Sequence, residues 1–167
     1  MNTIRELIIL EFIARAAVIR STGSPQAYAT DIGATVFRAR MSVDPGELPC
    51  TVVFPQPEES ENKNGLALHA MAIKIEGIAA FGDESSSIVS ERMLGDLIKA
   101  FTSPAWDRRR PVASPASPVT YLDPYAESII YQGGGTYEYP DDGKLTVGTL
   151  ATFMITYWTA IGDPYNQ

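Results

Sequence analysis

The sequence predicts an α+β domain: an antiparallel-rich mixed sheet with two helices packed on one face. Three observations predict it. Two segments have apolar residues at helical spacing, one at the start and one near residue 90. At least five others alternate or run apolar over strand lengths. The segments follow one another as α-β-β-β-α-β-β, with strands grouped rather than alternating with helices. A chain of 167 residues with 45% apolar content buries one core, so a single domain over residues 1–167 is expected.

"TIRE" opens the first helix as a capping box: Thr3 accepts from the backbone of Glu6, and Glu6 reaches back to Thr3. Glu11 and Arg15 form an i,i+4 pair in the favourable order. The helix runs from Ile4 to about Arg20, ahead of Gly23 and Pro25. Its wheel carries two apolar stripes. One holds Leu7, Leu10, Ala14, Ala17 and Val18; the other holds Ile8, Phe12 and Ile19. A surface helix usually shows one stripe. Either the helix is wedged inside its own domain, or one stripe meets another subunit. The Ile8, Phe12 and Ile19 face is the candidate for that contact.

"VFRARMSV" alternates as a half-buried strand, with Phe37, Ala39, Met41 and Val43 on one face and Arg38 and Arg40 on the other. "DPGELP" reads as a turn and "CTVVF" as a short strand. "PQPEESENKNG" reads as a polar loop with Glu58, Glu59 and Glu61. "LALHAMAIKIEGIAAF" is a long strand, hairpinned to "CTVVF", with Met71, Ile73 and Ile75 inward. The second helix, "SIVSERMLGDLIKAFTS", carries Ile88, Met93, Leu94, Leu97, Ile98 and Phe101 as its stripe. A long Pro-rich loop follows at about 102–120. "SIIY" is a strand, "QGGG" a flexible break or bulge, "TYEY" its resumption and "PDDGK" a turn. "LTVGTLATFMITYWTAI" is the last strand, apolar on both phases near Phe153 to Trp158, hence interior to the sheet.

Chemistry-bearing residues are sparse. His69 is the one histidine, in phase with Met71 and Ile73, and reads as a structural histidine near the sheet end. Cys50 is the one cysteine, so no internal disulfide forms. One His and one Cys make no nitrogen–sulfur metal cluster, and "GGG" lacks the Lys-Ser/Thr of a phosphate loop. No cofactor and no catalytic residue is expected. Five tyrosines, Tyr121, Tyr125, Tyr131, Tyr137 and Tyr139, could line a pocket, although aromatic strand residues more often face a core. No run of 18 apolar residues exists, so no membrane span is expected, and a soluble intracellular protein is. The formal charge of −7 argues against sequence-reading DNA binding but lets DNA slide past. "DRRRP", with Arg108, Arg109 and Arg110, is the one basic cluster; it reads as a solvated loop or as an ionic contact with an acidic neighbour.

The amphipathic first helix, the arginine-bearing strand with "ELPCTVVF", the strand ending "IKIEG", the helix "MLGDLIKAF" and the end "FMITYWTAIGDPYNQ" together resemble the tail terminator (tail completion) proteins of long-tailed bacteriophages, the minor tail protein U group. The long Pro-rich segment and "QGGG" depart from the smaller members. The resemblance implies a structural virion protein at the neck end of the tail, assembled in the host cytoplasm. It implies a homo-hexamer that caps the tail tube protein, stops its polymerisation and offers a surface to a head–tail connector or neck protein, with genomic DNA passing through the lumen. Another neck component, or a small-molecule-binding or hydrolytic α+β domain, are the alternatives. Interface positions are expected at Ile8, Phe12, Ile19, Arg38, Arg40, Arg108, Arg109, Arg110, Asp163 and Tyr165, with Asp163 to Gln167 emerging beside a subunit or tube surface.

Overall fold

A computed structural model describes residues 1–22, 28–102, 125–138 and 145–167. The Arg108–Arg110 cluster, most of the Pro-rich loop, the "PDDGK" turn, Tyr121 and Tyr139 lie outside the described residues. The elements are α1 (Ile4–Ala16), β1 (Thr35–Arg38), β2 (Cys50–Lys63), β3 (Leu66–Ala80), α2 (Ser86–Phe101), β4 (Ser128–Glu138) and β5 (Thr146–Ala160). They form one α+β domain around a five-stranded mixed sheet of order β1-β2-β3-β5-β4. Only β1–β2 is parallel; the other three pairings are antiparallel. No helix among the described residues is long and apolar enough to cross a membrane.

The centre is the β3–β5 ladder, in unbroken register from Leu66↔Ala160 to Ala80↔Thr146. Side chains alternate across a strand, so Met71, Ile73 and Ile75 point the same way as Phe153, Ile155 and Tyr157. All six are buried in the single core cluster. The terminal strand is thus interior, as expected, but its second phase is half-exposed rather than buried. Both helices lie on the Phe153 side. Phe12 of α1 stacks on Phe101 of α2 at 4.8 Å, and both rings meet Phe153, at 6.3 and 5.3 Å.

Several local readings change. "PQPEESENKNG" is not a loop: β2 continues through it after a bulge between Pro55 and Glu58. The turn shrinks to Asn64 and Gly65, with φ of 53° and 82°. This is the left-handed pair that a two-residue hairpin demands and that Asn-Gly supplies. Polar composition misled because one strand face and the outer edge are wet. "QGGG" is likewise no break. β4 runs through it, with bulges on both sides of the triplet, and a Cβ on Gly134 would sit 2.2 Å from the carbonyl oxygen of Leu150. "VFRARMSV" is strand only to Arg38. Ala39 turns left-handed (φ 51°), and Met41 is left 91% exposed. "DPGELP" becomes a 3₁₀ turn, Pro45–Glu47, closed by an Asp44/Glu47 capping box. In α2, Ile88 faces solvent while Val89, Met93, Leu97 and Phe101 are buried.

Phe153 joins three aromatic neighbours at the meeting point of both helices and the sheet. Phe153→Ala is expected to cost about 3–5 kcal/mol, read as a lowered denaturation midpoint in urea. The exposed substitution Ile88→Ala should move that midpoint little.

Candidate functional site

The expected helical contact face is reversed. Ile8, Phe12 and Ile19 are each 0% exposed and form part of the chain's own core; they cannot be interface residues. The physical reason is area. That stripe, extended by Ile4, Ile9 and Ala16, holds the bulky side chains, and the sheet buries it. The other stripe has small residues at Ala14 and Ala17 and is left outside. Leu10 is 42% exposed and Val18 53%, with Ala14 and Ala17 exposed between them. The outward stripe is shorter than read: Leu7 packs against the core, and the helix stops at Ala16 rather than near Arg20, so Leu10 and Ala14 are on α1 and Ala17 and Val18 are in the turn beyond it.

The arginines have partners within the chain. Arg38 makes a two-pronged ion pair with Glu6, at 2.6 and 2.8 Å. This takes the Glu6 carboxylate away from Thr3, so only the Thr3 half of the "TIRE" box forms. Arg40 donates to Glu47 at 2.7 Å, reaches Asp44 at 3.9 Å, and lies 4.3 Å from the Phe37 ring centre. Both brace the chain's own surface, one tying α1 to β1 and the other closing the 3₁₀ turn. Asp44 and Glu47 at capping-box spacing could have announced the second pair. Nothing local announces the first.

The C-terminal segment folds back. Ile4 N–H donates to the Pro164 carbonyl and Ala160 N–H to that of Asn166, both at 2.9 Å. Gln167 Nε2 donates to the Tyr125 carbonyl at 2.6 Å. The Asp163 carboxylate accepts from Tyr165 N and Asn166 Nδ2. Asp163 thus closes a turn and is half-buried, while the Tyr165 side chain is 42% exposed. The segment tethers the start of α1, so removing it is expected to cost folding stability.

The densest polar cluster was missed except for its histidine. His69 Nε2 lies 2.8 Å from Thr159 Oγ1. Its ring stacks on Tyr157 at 4.7 Å, and its Nδ1, buried without a hydrogen bond, lies 3.7 Å from Glu58 Oε1. Tyr157 donates to Glu58 Oε2 at 2.5 Å, and Arg5 Nε lies 3.2 Å from the same oxygen. Burial and the Glu58 carboxylate push the Tyr157 phenol well up. The bulge after Pro55 turns Glu58 onto the helix side opposite Met71, which no local pattern marks. Thr159, His69 and Glu58 are ordered as a nucleophile, base and orienter would be. Thr159 is only 4% exposed, so the cluster closes the end of the core, in keeping with the structural reading of His69.

Elsewhere, Asp96 on α2 is 5% exposed and accepts from Ala29 N, Thr30 N and Thr30 Oγ1 at 2.7–3.0 Å, pinning that loop. Burial pushes the Cys50 thiol up to about 11, which suits a packed, unreactive group. Two open clefts of about 320 and 280 Å³ flank the Pro45–Leu48 turn. Tyr137 borders the smaller cleft, Tyr131 packs against the core on Phe153, and Tyr125 packs beside that core; these three described tyrosines do not converge on one pocket. Among the described residues no group of three His, Cys, Asp or Glu is placed to hold a metal. No protein-family model matches the chain, and no curated protein sequence matches it.

The carboxylates also set the acid limit of the fold. The Arg38 hydrogen bond holds Glu6 below its ordinary 4.5. The Ser21 backbone N–H holds Asp31 below 3.8, and the Asp44 backbone N–H, followed by Arg40, holds Glu47 below 4.5. Each stays ionised in the folded chain at a pH where the unfolded chain takes up a proton. Their contribution is complete above the unfolded values and lost as pH falls through the folded ones. The melting temperature is expected to fall with pH below about 4.5, and Glu6→Gln to flatten part of that slope, measured by circular dichroism melts across pH.

Proposed function

We propose that this chain is a structural protein of a phage tail, a terminator whose hexameric ring caps the tail tube. The ring stops tube polymerisation, presents a surface to a neck or head–tail connector protein, and lets genomic DNA pass through its lumen. The single observation that carries the reading is a pair of apolar surfaces that no described element covers. Among the described residues, one stripe along α1 and one face of the sheet are buried, while a second stripe and a second face are left outside. Such a domain is built to be covered by other proteins. The order of elements adds the resemblance to tail terminators. The acidic balance adds a lumen compatible with DNA: six copies carry about −42, a field that repels phosphate and keeps DNA from sticking. Termination is then mechanical. One ring face complements the tube end, and the other does not accept a further tube ring.

The Thr159–His69–Glu58 alignment favours a second reading, a hydrolytic α+β domain. That reading needs Thr159 to open to substrate, and its side chain is covered.

The purified chain is added to polymerising tail-tube protein and imaged by negative-stain electron microscopy. Six-fold rings at one tube end and arrested tube growth are expected. Tubes that elongate unchanged overturn the terminator reading. Turnover of an ester or peptide that disappears in Thr159→Val with the fold intact favours the hydrolytic one.

A further inference from the structure

The two surfaces that no described element covers lie on opposite sides of the domain. On the α1 wheel, at 3.6 residues per turn, Leu10 stands opposite the buried Ile8 and Phe12, with Ala14 beside it, and Val18 in the turn that follows α1 is 53% exposed. They therefore point away from the sheet. The open sheet face points the other way. Its rows follow from the register: Ala72, Met154 and Ile130 form one, and Leu68 and Trp158 another. Ile130 is 53% exposed, and the others are half-buried. Between the two rows runs the Ala70 row with Thr156 and Ser128, whose hydroxyls bond each other; Glu61 extends the Leu68 row and Glu59 the Ala70 row on β2, so this end of the face has an acidic margin, while Lys74 lies toward the other end. Both glutamates are exposed, and neither has an ion-pair partner among the described residues. Arg20, just past the end of the α1 stripe, donates to the Ala17 and Ala34 carbonyls; its nearest acidic influence is Asp31, which feels its charge without a close ion pair.

We infer that the outer α1 stripe of one copy packs on the open sheet face of the next, with Arg20 of the first reaching the Glu59 and Glu61 margin of the second. The occupant of each surface is a second copy of this chain. Three features select it. The two surfaces differ in kind, so they can meet head to tail rather than face themselves. Helix on sheet is the packing the domain already uses inside, and Ala14 and Ala17 let the helix approach closely. The charges at the margins have opposite sign. Because the surfaces face in opposite directions, each copy added leaves one of each free, which is the condition for a closed ring or an open fibre. This deepens the ring reading above by naming its subunit contact.

The test is sedimentation velocity on the full chain and on Leu10→Glu and Ile130→Glu, both at exposed positions, with circular dichroism to check folding. The wild type is expected to form large assemblies. Each variant alone should associate about tenfold or more weakly, since one apolar anchor is lost. A mixture of the two should form one-to-one heterodimers and stop there, because only one intact stripe and one intact face remain. Should either variant fail to fold, the surface charge swaps Arg20→Glu and Glu59→Arg/Glu61→Arg replace it: each should weaken assembly, and their combination in one chain should restore it. A monomeric wild type, variants that assemble as the wild type does, or a mixture that forms no heterodimer each overturns the inference. Rings that survive both variants sink this contact and leave the ring reading standing. Heterodimers from a chain that never caps tubes uphold the contact and sink the terminator reading.

Discussion

The rest of the domain depends on the in-register pairing of β3 with β5. All fifteen residues of β3 find a partner on β5, and that single alignment decides which side chains face the helices. A slip of one residue would carry Phe153, Ile155 and Tyr157 to the open face and strip the core of its largest rings. The register is held at both ends. At one end the Tyr157–His69–Glu58 cluster joins β5, β3 and β2. At the other, β5 begins opposite the last residues of β3, where Phe81 N–H donates to the Leu145 carbonyl.

The helices are fastened to this ladder by two kinds of contact with different reach. Apolar burial sets their position, through Phe12, Phe101 and Phe153. Polar contacts set their angle and their ends. Glu6 to Arg38 ties the first turn of α1 to β1, Ile4 to Pro164 ties its N-terminus to the chain's end, and Asp96 ties α2 to the loop ahead of β1. The exposed ion pairs add little energy individually. Asp96 differs, because a buried carboxylate is tolerated only while its donors are in place.

With one face of the sheet and one stripe of α1 so fully used, the surfaces open to the proposed assembly are what remains. Leu10, Val18 and Ile130 are exposed because the core has already chosen their opposites. On this reading assembly and folding draw on the same strand alternation and the same helical wheel, with opposite phases.

The sequence by itself determined the element order, the fold class, the interior placement of β5, the inward phase of Met71, Ile73 and Ile75, and the two stripes of α1. These follow from periodicity, which is a property of consecutive residues. It also placed His69 on the phase of the core residues, where the structure has its ring stacked on Tyr157. Only the tertiary structure decided which stripe of α1 is buried, since a wheel shows two apolar sides but not which lies over a sheet. Only it showed that "PQPEESENKNG" is strand, and between the break and the bulge that "QGGG" offered it selected bulged strand, because a hydrogen-bonded neighbour can hold polar or glycine residues extended against their own preference. And only it brought Glu58 to His69 and Arg38 to Glu6, contacts between residues far apart in the chain that no local pattern encodes.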